Sequence, residues 1–135
     1  MAFDLKLEFI LSAKPQRVMQ LLTDPALIRK WSGGEAILEN KEGGRFEMFD
    51  GWVTGNVLKT GINELTYTWK ITEWPQDAAA SEVHYLLTDD EAGTKVVLHH
   101  NNFPNEEEMK SHESGWTDYF FDPMEDYIAV TEKDW

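Results

Sequence analysis

The side chains best suited to chemistry are four histidines and a run of aromatics, because the chain contains no cysteine. Without cysteine there is no thiol nucleophile, disulfide, iron–sulfur cluster or thiolate-bound zinc. His99 and His100 are neighbours in an alternating stretch. Adjacent strand residues point to opposite faces, so the two cannot hold one metal ion side by side. The alternation with Thr94, Val96 and Leu98 turns His100 inward and His99 outward. His112 falls near the start of a helical stretch. A metal site of His100, His112 and Glu113 is chemically conceivable, but the spacing matches no ligand motif, so no metal is expected. Asp50 precedes Gly51 and reads as a turn residue. A catalytic carboxylate would need a second acid or base tied to it by spacing, and none is visible. Asp89-Asp90-Glu91 lacks calcium-loop spacing and reads as a solvated hairpin tip. No nucleophile elbow, phosphate loop or dinucleotide fingerprint occurs, so no cofactor is expected.

The aromatics offer a different chemistry. Tyr67, Trp69, Tyr85, Trp116, Tyr119, Phe120 and Tyr127 share a face with the apolar positions of their segments. They are expected to look into one space between a sheet and a helix. Two readings stand side by side: the rings wall a ligand cavity with a few polar handles, or they fill the space themselves. In the first reading the lining is Tyr67, Trp69, Tyr85, His100, Trp116, Tyr119 and Phe120, with His100 and the tyrosine hydroxyls orienting polar atoms. Large rings shrink a cavity, so the ligand would be small or flat.

The elements that must position these groups follow from periodicity. Residues 4–11 alternate with Leu5, Leu7, Phe9 and Leu11 on one face and form a strand. Pro15 opens a short amphipathic helix through Val18, Met19, Leu21 and Leu22. Asp24-Pro25 caps and starts a second helix that ends at Gly33-Gly34. The period then changes to two. Six strands follow, around 36–38, 45–49, 52–58, 65–71, 82–88 and 94–100, punctuated by Gly43-Gly44, Asp50-Gly51, Gly61, a loop at 74–80 and the 89–93 turn. Asn105 with Glu108 resembles a capping box. From there Met109, His112, Trp116, Tyr119, Phe120, Met124, Tyr127 and Ile128 form a wide apolar stripe. Pro123 should kink that helix near Tyr119 or split it, and Gly115 is a second weak point. Lys133 to Trp135 should fray. Short turns between strands imply an antiparallel sheet with the long helix on one side: an α+β fold of order β-α-α-β-β-β-β-β-β-α.

A length of 135 residues suits one domain, with its core over about 4–130. Twelve basic and 25 acidic side chains give a net charge of −13. Residues 1–71 hold nine of each; residues 72–135 hold sixteen acids and three bases, so the imbalance lies wholly in the C-terminal half. Such a charge argues against nucleic acid and anionic membranes. The longest stretch without Asp, Glu, Lys or Arg is residues 96–105, too short for a membrane span. With no basic, apolar leader at Met1, a cytoplasmic protein is expected. The acids are expected at the hairpin tip, in the first turn of the long helix and on its outer face, leaving the inner space with little charge.

The chain also resembles a known group. The resemblance rests on Leu22-Thr23-Asp24-Pro25 with Trp31, Gly43-Gly44-Arg45-Phe46 through Asp50-Gly51, Gly55-Asn56-Val57-Leu58 and Leu65-Thr66-Tyr67-Thr68-Trp69-Lys70. It continues in Trp74-Pro75, Ser81-Glu82-Val83, Gly93-Thr94 with His100, and His112 with Gly115-Trp116. In order and spacing these are similar to the START-like superfamily, of the Bet v 1 helix-grip type, and within it to the family named for the C-terminal domain of the activator of Hsp90 ATPase. The resemblance implies a curved seven-stranded antiparallel sheet gripping the C-terminal helix, with a cavity between them that holds apolar small molecules in other members. Three functions remain open: a non-catalytic domain binding an apolar small molecule, a co-chaperone-like module contacting an Hsp90-type ATPase, or a cyclase- or hydrolase-type enzyme. The last requires an acid–base pair inside the cavity, and no such pair is visible in the sequence.

Overall fold

A computed structural model describes residues 3–131, so the expectation for Lys133 to Trp135 lies outside the described residues. The elements run β1 (Phe3–Leu11), α1 (Pro15–Thr23), α2 (Pro25–Ser32), β2 (Ile37–Leu38), β3 (Arg45–Met48), β4 (Val53–Thr60), β5 (Glu64–Ile71), β6 (Ser81–Asp90) and β7 (Gly93–Phe103). The C-terminal helix follows in three parts: α3 (Glu106–Gly115), a π turn (Trp116–Phe121) and α4 (Asp122–Thr131). All strand pairs are antiparallel, in the order β1-β7-β6-β5-β4-β3-β2. The expected helix-grip architecture is therefore present.

Alternation fixes which face of the sheet meets the helix. Val83, Tyr85 and Leu87 of β6 and Val96, Leu98 and His100 of β7 are buried, while His84, Leu86 and His99 face out. At one end of the sheet, α1 and α2 bury Val18, Leu21, Leu22, Ile28 and Trp31. Their junction is set by Asp24, whose carboxylate accepts the Ala26 N–H at 2.9 Å. α2 stops at Gly33, which takes the left-handed conformation (φ 78°) that glycine adopts without penalty.

Two details differ from the sequence reading. The β6–β7 hairpin is tighter than expected: Asp89 pairs with Thr94 and Asp90 with Gly93, so the turn is only Glu91-Ala92. β7 also runs on to Phe103, past His100.

The second difference is in the long helix. His112, Trp116, Phe120, Met124 and Ile128 are all buried, and they are spaced four apart throughout. On an ideal α-helix of 3.6 residues per turn, four such steps would carry the stripe about 160° around the axis. The chain unwinds to prevent this. The Asp122 N–H bonds to the Thr117 carbonyl, five residues back, whereas the Trp116 N–H bonds four back to His112. Pro123 lies one residue on and has no N–H to give the preceding turn. The expected kink is therefore a π turn. It lets two consecutive residues, Phe120 and Phe121, both be buried. Phe120 meets Trp31 edge-on with ring centroids 4.7 Å apart, and Phe121 stacks on Phe9 at 4.1 Å. Below it, Glu125 accepts the Ser12 N–H at 2.9 Å and the Ser12 hydroxyl at 2.5 Å, tying α4 to the end of β1.

Candidate functional site: an aromatic groove beside the C-terminal helix

Beside α3 and the π turn lies a groove of about 450 Å³. Its sheet wall carries Trp69 and Ile71 of β5, with Phe49 and Trp52 from the turn before β4 and Glu73 just after β5. Its helix wall carries Glu108, Ser111, His112, Gly115, Trp116, Tyr119 and Phe120.

Of the seven residues expected to line a site, Trp69, Trp116, Tyr119 and Phe120 border this groove. Tyr119 was expected to face inward, but it is 69% exposed and stands at the rim. The π turn places it on the outer side, while Trp116 and Phe120 take the buried positions. Tyr67, Tyr85 and His100 lie beneath the groove, in the closed core. The Tyr67 and Tyr85 hydroxyls hydrogen-bond each other at 2.5 Å, so neither is offered to a ligand. Burial raises both phenols well above their usual range. Tyr127 is partly buried and packs on the core without bordering the groove.

Under the groove floor is a closed network of rings and hydrogen bonds. His100 is fully buried. Its Nδ1 accepts the Trp116 indole N–H at 3.1 Å, and its Nε2 lies 2.8 Å from the Ser81 hydroxyl. That hydroxyl donates to the Trp69 carbonyl at 2.7 Å, so it accepts from Nε2–H. His112 is arranged in the opposite tautomer. Its Nε2 accepts the Trp69 indole N–H at 3.1 Å, leaving Nδ1–H to donate to the Glu108 carbonyl at 2.9 Å. The two imidazoles meet edge to face at 5.3 Å, closer than their sequence positions suggested. Burial pushes both down from the usual histidine range; His100, with His112 beside it, falls well below. Both rings are therefore neutral, with every nitrogen engaged, and neither offers a lone pair to a proton or a metal. No cluster of three or more metal-ligating side chains occurs among the described residues.

The indoles also fix the carboxylates. Trp52 donates to Glu73 at 2.8 Å, and Thr72 donates to the same carboxylate at 2.5 Å. These two bonds, the Thr72 one first, hold Glu73 below the usual carboxylate range. Trp74 donates to Glu108 at 2.7 Å. The groove thus carries two carboxylates, contrary to the expectation of a nearly uncharged inner space. Asp50 takes the turn role: φ is 60° and its carboxylate accepts the Glu35 N–H at 2.8 Å.

The fold and its groove define a START-like helix-grip domain. The chain belongs to the family described as Activator of Hsp90 ATPase homolog 1-like protein, whose family model matches residues 12–129. It is 27% identical over 109 residues to mouse activator of 90 kDa heat shock protein ATPase homolog 1, covering 80% of this chain and 32% of the mouse protein. The chain therefore spans about a third of the length of that relative. Among solved structures, a protein of Mesorhizobium loti matches with a TM-score of 0.81 at 25% identity, covering 96% of this chain and 98% of that one. An HSP90 activator from Plasmodium falciparum matches with a TM-score of 0.75 at 26% identity, over 96% and 94% of the two chains. No helix among the described residues is long and apolar enough to cross a membrane.

Proposed function

We propose that this chain is a non-catalytic ligand-binding domain, holding a small, flat, largely apolar molecule in the groove between β5 and the C-terminal helix. The observation that carries this reading is the groove itself. It offers about 450 Å³ bordered by Phe49, Trp52, Trp69, Trp116, Tyr119 and Phe120, within the size range of small-molecule sites. The rings that border it are braced from behind: the Trp69 and Trp116 indoles are each anchored on a histidine. A pre-formed wall costs little ordering on binding. The same bonding leaves His100 and His112 without the free nitrogen that a general base would need, which weighs against an enzyme.

A screen of hydrophobic small molecules by thermal shift and intrinsic fluorescence tests the proposal. A ligand at about a hundred times its Kd adds about 2.7 kcal/mol of stability, a shift readily read in a melt. Trp52→Ala should abolish it. If no compound stabilises the wild-type protein, the reading fails.

A second function is favoured by separate observations, namely the family and the names of its relatives. In it, the domain docks on an Hsp90-type chaperone through its acidic, helix-bearing side, where Asp118, Asp122 and Asp126 are exposed. The measurement is the ATPase rate of the host's Hsp90 homologue with and without this protein; an unchanged rate at saturating protein excludes it.

A further inference from the structure

We propose that the occupant of the groove is an organic cation, with its apolar body between the rings and its ammonium or amidinium group beside Glu73 and Glu108. The proposal rests on the groove being a ligand site and adds the charge class of the ligand.

The groove has a definite electrostatic character. Among its twelve lining residues the only formal charges are two carboxylates, Glu73 and Glu108; no lysine or arginine borders it. His112 lies between the groove walls but is held neutral, its Nε2 occupied by Trp69 and its Nδ1–H by the Glu108 carbonyl. The nearest basic residue on α3, Lys110, is exposed and turned to Glu106 at 2.9 Å. Nothing lining the groove neutralises the pair.

The carboxylates are also positioned in advance. Glu73 is gripped by Trp52 and Thr72, and Glu108 by Trp74. Glu108 is half-buried, its side chain 28% exposed, so its charge is less screened than a fully solvated one. Because Trp52 and Trp69 spend their N–H groups on Glu73 and His112, their hydrogen-bonding edges are turned to protein. The two indoles stand nearly perpendicular, at 84° with centroids 6.2 Å apart. Indole faces attract cations, and Tyr119 adds a third ring at the rim. A neutral hydrocarbon would displace water from Glu108 with no compensation. An anion would face two like charges.

The test uses three probes of one shape, naphthylmethylammonium, naphthylmethanol and naphthylacetate, titrated calorimetrically into the wild-type protein. At about 0.1 M salt the ammonium compound should bind about tenfold more tightly than the alcohol, and the acetate more weakly than either. The advantage should shrink at about 1 M salt, where the Debye length is about 3 Å. It should vanish in Glu73→Gln/Glu108→Gln, in which the amide oxygens can still accept from Trp52, Thr72 and Trp74. If ammonium and alcohol bind equally, the groove is a ligand site and the cation proposal is overturned. If none of the three binds, the groove reading falls with it. The wild-type comparison does not depend on how the variant folds.

Discussion

Replacing His100 with phenylalanine is the sharpest probe of the network beneath the groove. The imidazole is fully buried, and its two nitrogens serve the Trp116 indole at 3.1 Å and the Ser81 hydroxyl at 2.8 Å. Phenylalanine fills similar space and keeps the ring contact to Phe103, whose centroid lies 4.0 Å away. Ser81 keeps its bond to the Trp69 carbonyl. Trp116, 3% exposed, is left with an indole N–H that neither water nor protein reaches. One orphaned buried donor costs about 1–3 kcal/mol, so His100→Phe should lose about 2 kcal/mol. Trp116→Phe should lose a similar amount, since it strands the His100 Nδ1 acceptor and leaves a smaller ring behind. The double variant removes donor and acceptor together. Its loss should fall short of the sum of the two by about 1 kcal/mol or more, the signature of a coupled pair. Urea unfolding followed by far-ultraviolet circular dichroism measures all four proteins without relying on tryptophan emission, and a constant m-value keeps the comparison valid. Strict additivity, to within about 0.3 kcal/mol, would refute the indole–imidazole pairing.

Acidification should act through the same rings. His100 and His112 are held below their ordinary value of 6.5, so as pH drops below that value the unfolded chain takes up protons that the folded protein refuses, and stability falls. Urea midpoints recorded between about pH 7.5 and pH 5.5 should decline, and more steeply in wild type than in His100→Phe, where one of the two groups is gone; equal slopes would count against the assignment. Gly55 on β4 tests the sheet. A Cβ there would lie 1.9 Å from the Thr68 carbonyl oxygen, a backbone atom, so Gly55→Ala should cost about 3 kcal/mol or more. Gly115→Ala, where nothing lies within 4 Å of the added Cβ, should stabilise α3 by up to about 1 kcal/mol. Thermal melts of the two variants separate these outcomes in sign.

The frame of the molecule was readable because its signals are local. Period-two alternation placed Val83, Tyr85, Leu98 and His100 inward, and Asp24-Pro25 set the junction of α1 and α2. The groove was only half readable, because half of it comes from residues outside regular elements. Phe49 and Asp50 both take positive φ, 54° and 60°. Two left-handed residues in succession break the alternation, and Phe49 and Trp52, which the pattern turned away from the core, border the groove. Glu73 follows β5 in a loop and is fixed only by its bonds to Trp52 and Thr72. His112 could be placed on the helix but not against Trp69, since that distance depends on how the helix seats on the sheet. Acceptors for the indoles were the available signal: each of the five described tryptophans donates to a named partner, and two of those partners are the groove's carboxylates.

The π turn has a consequence for how this helix tolerates change in length. An ordinary surface helix lets a residue be added or lost at an end with little disturbance. Here, deleting one residue between Trp116 and Phe121 would restore plain α winding and swing everything after it by about 100°. Met124 and Ile128 would leave the core, and Glu125 would lose Ser12. The six-residue segment acts as a vernier between two helical phases. Relatives that carry the groove must therefore keep its residue count, and a comparison of sequences across it should show substitutions but no gaps.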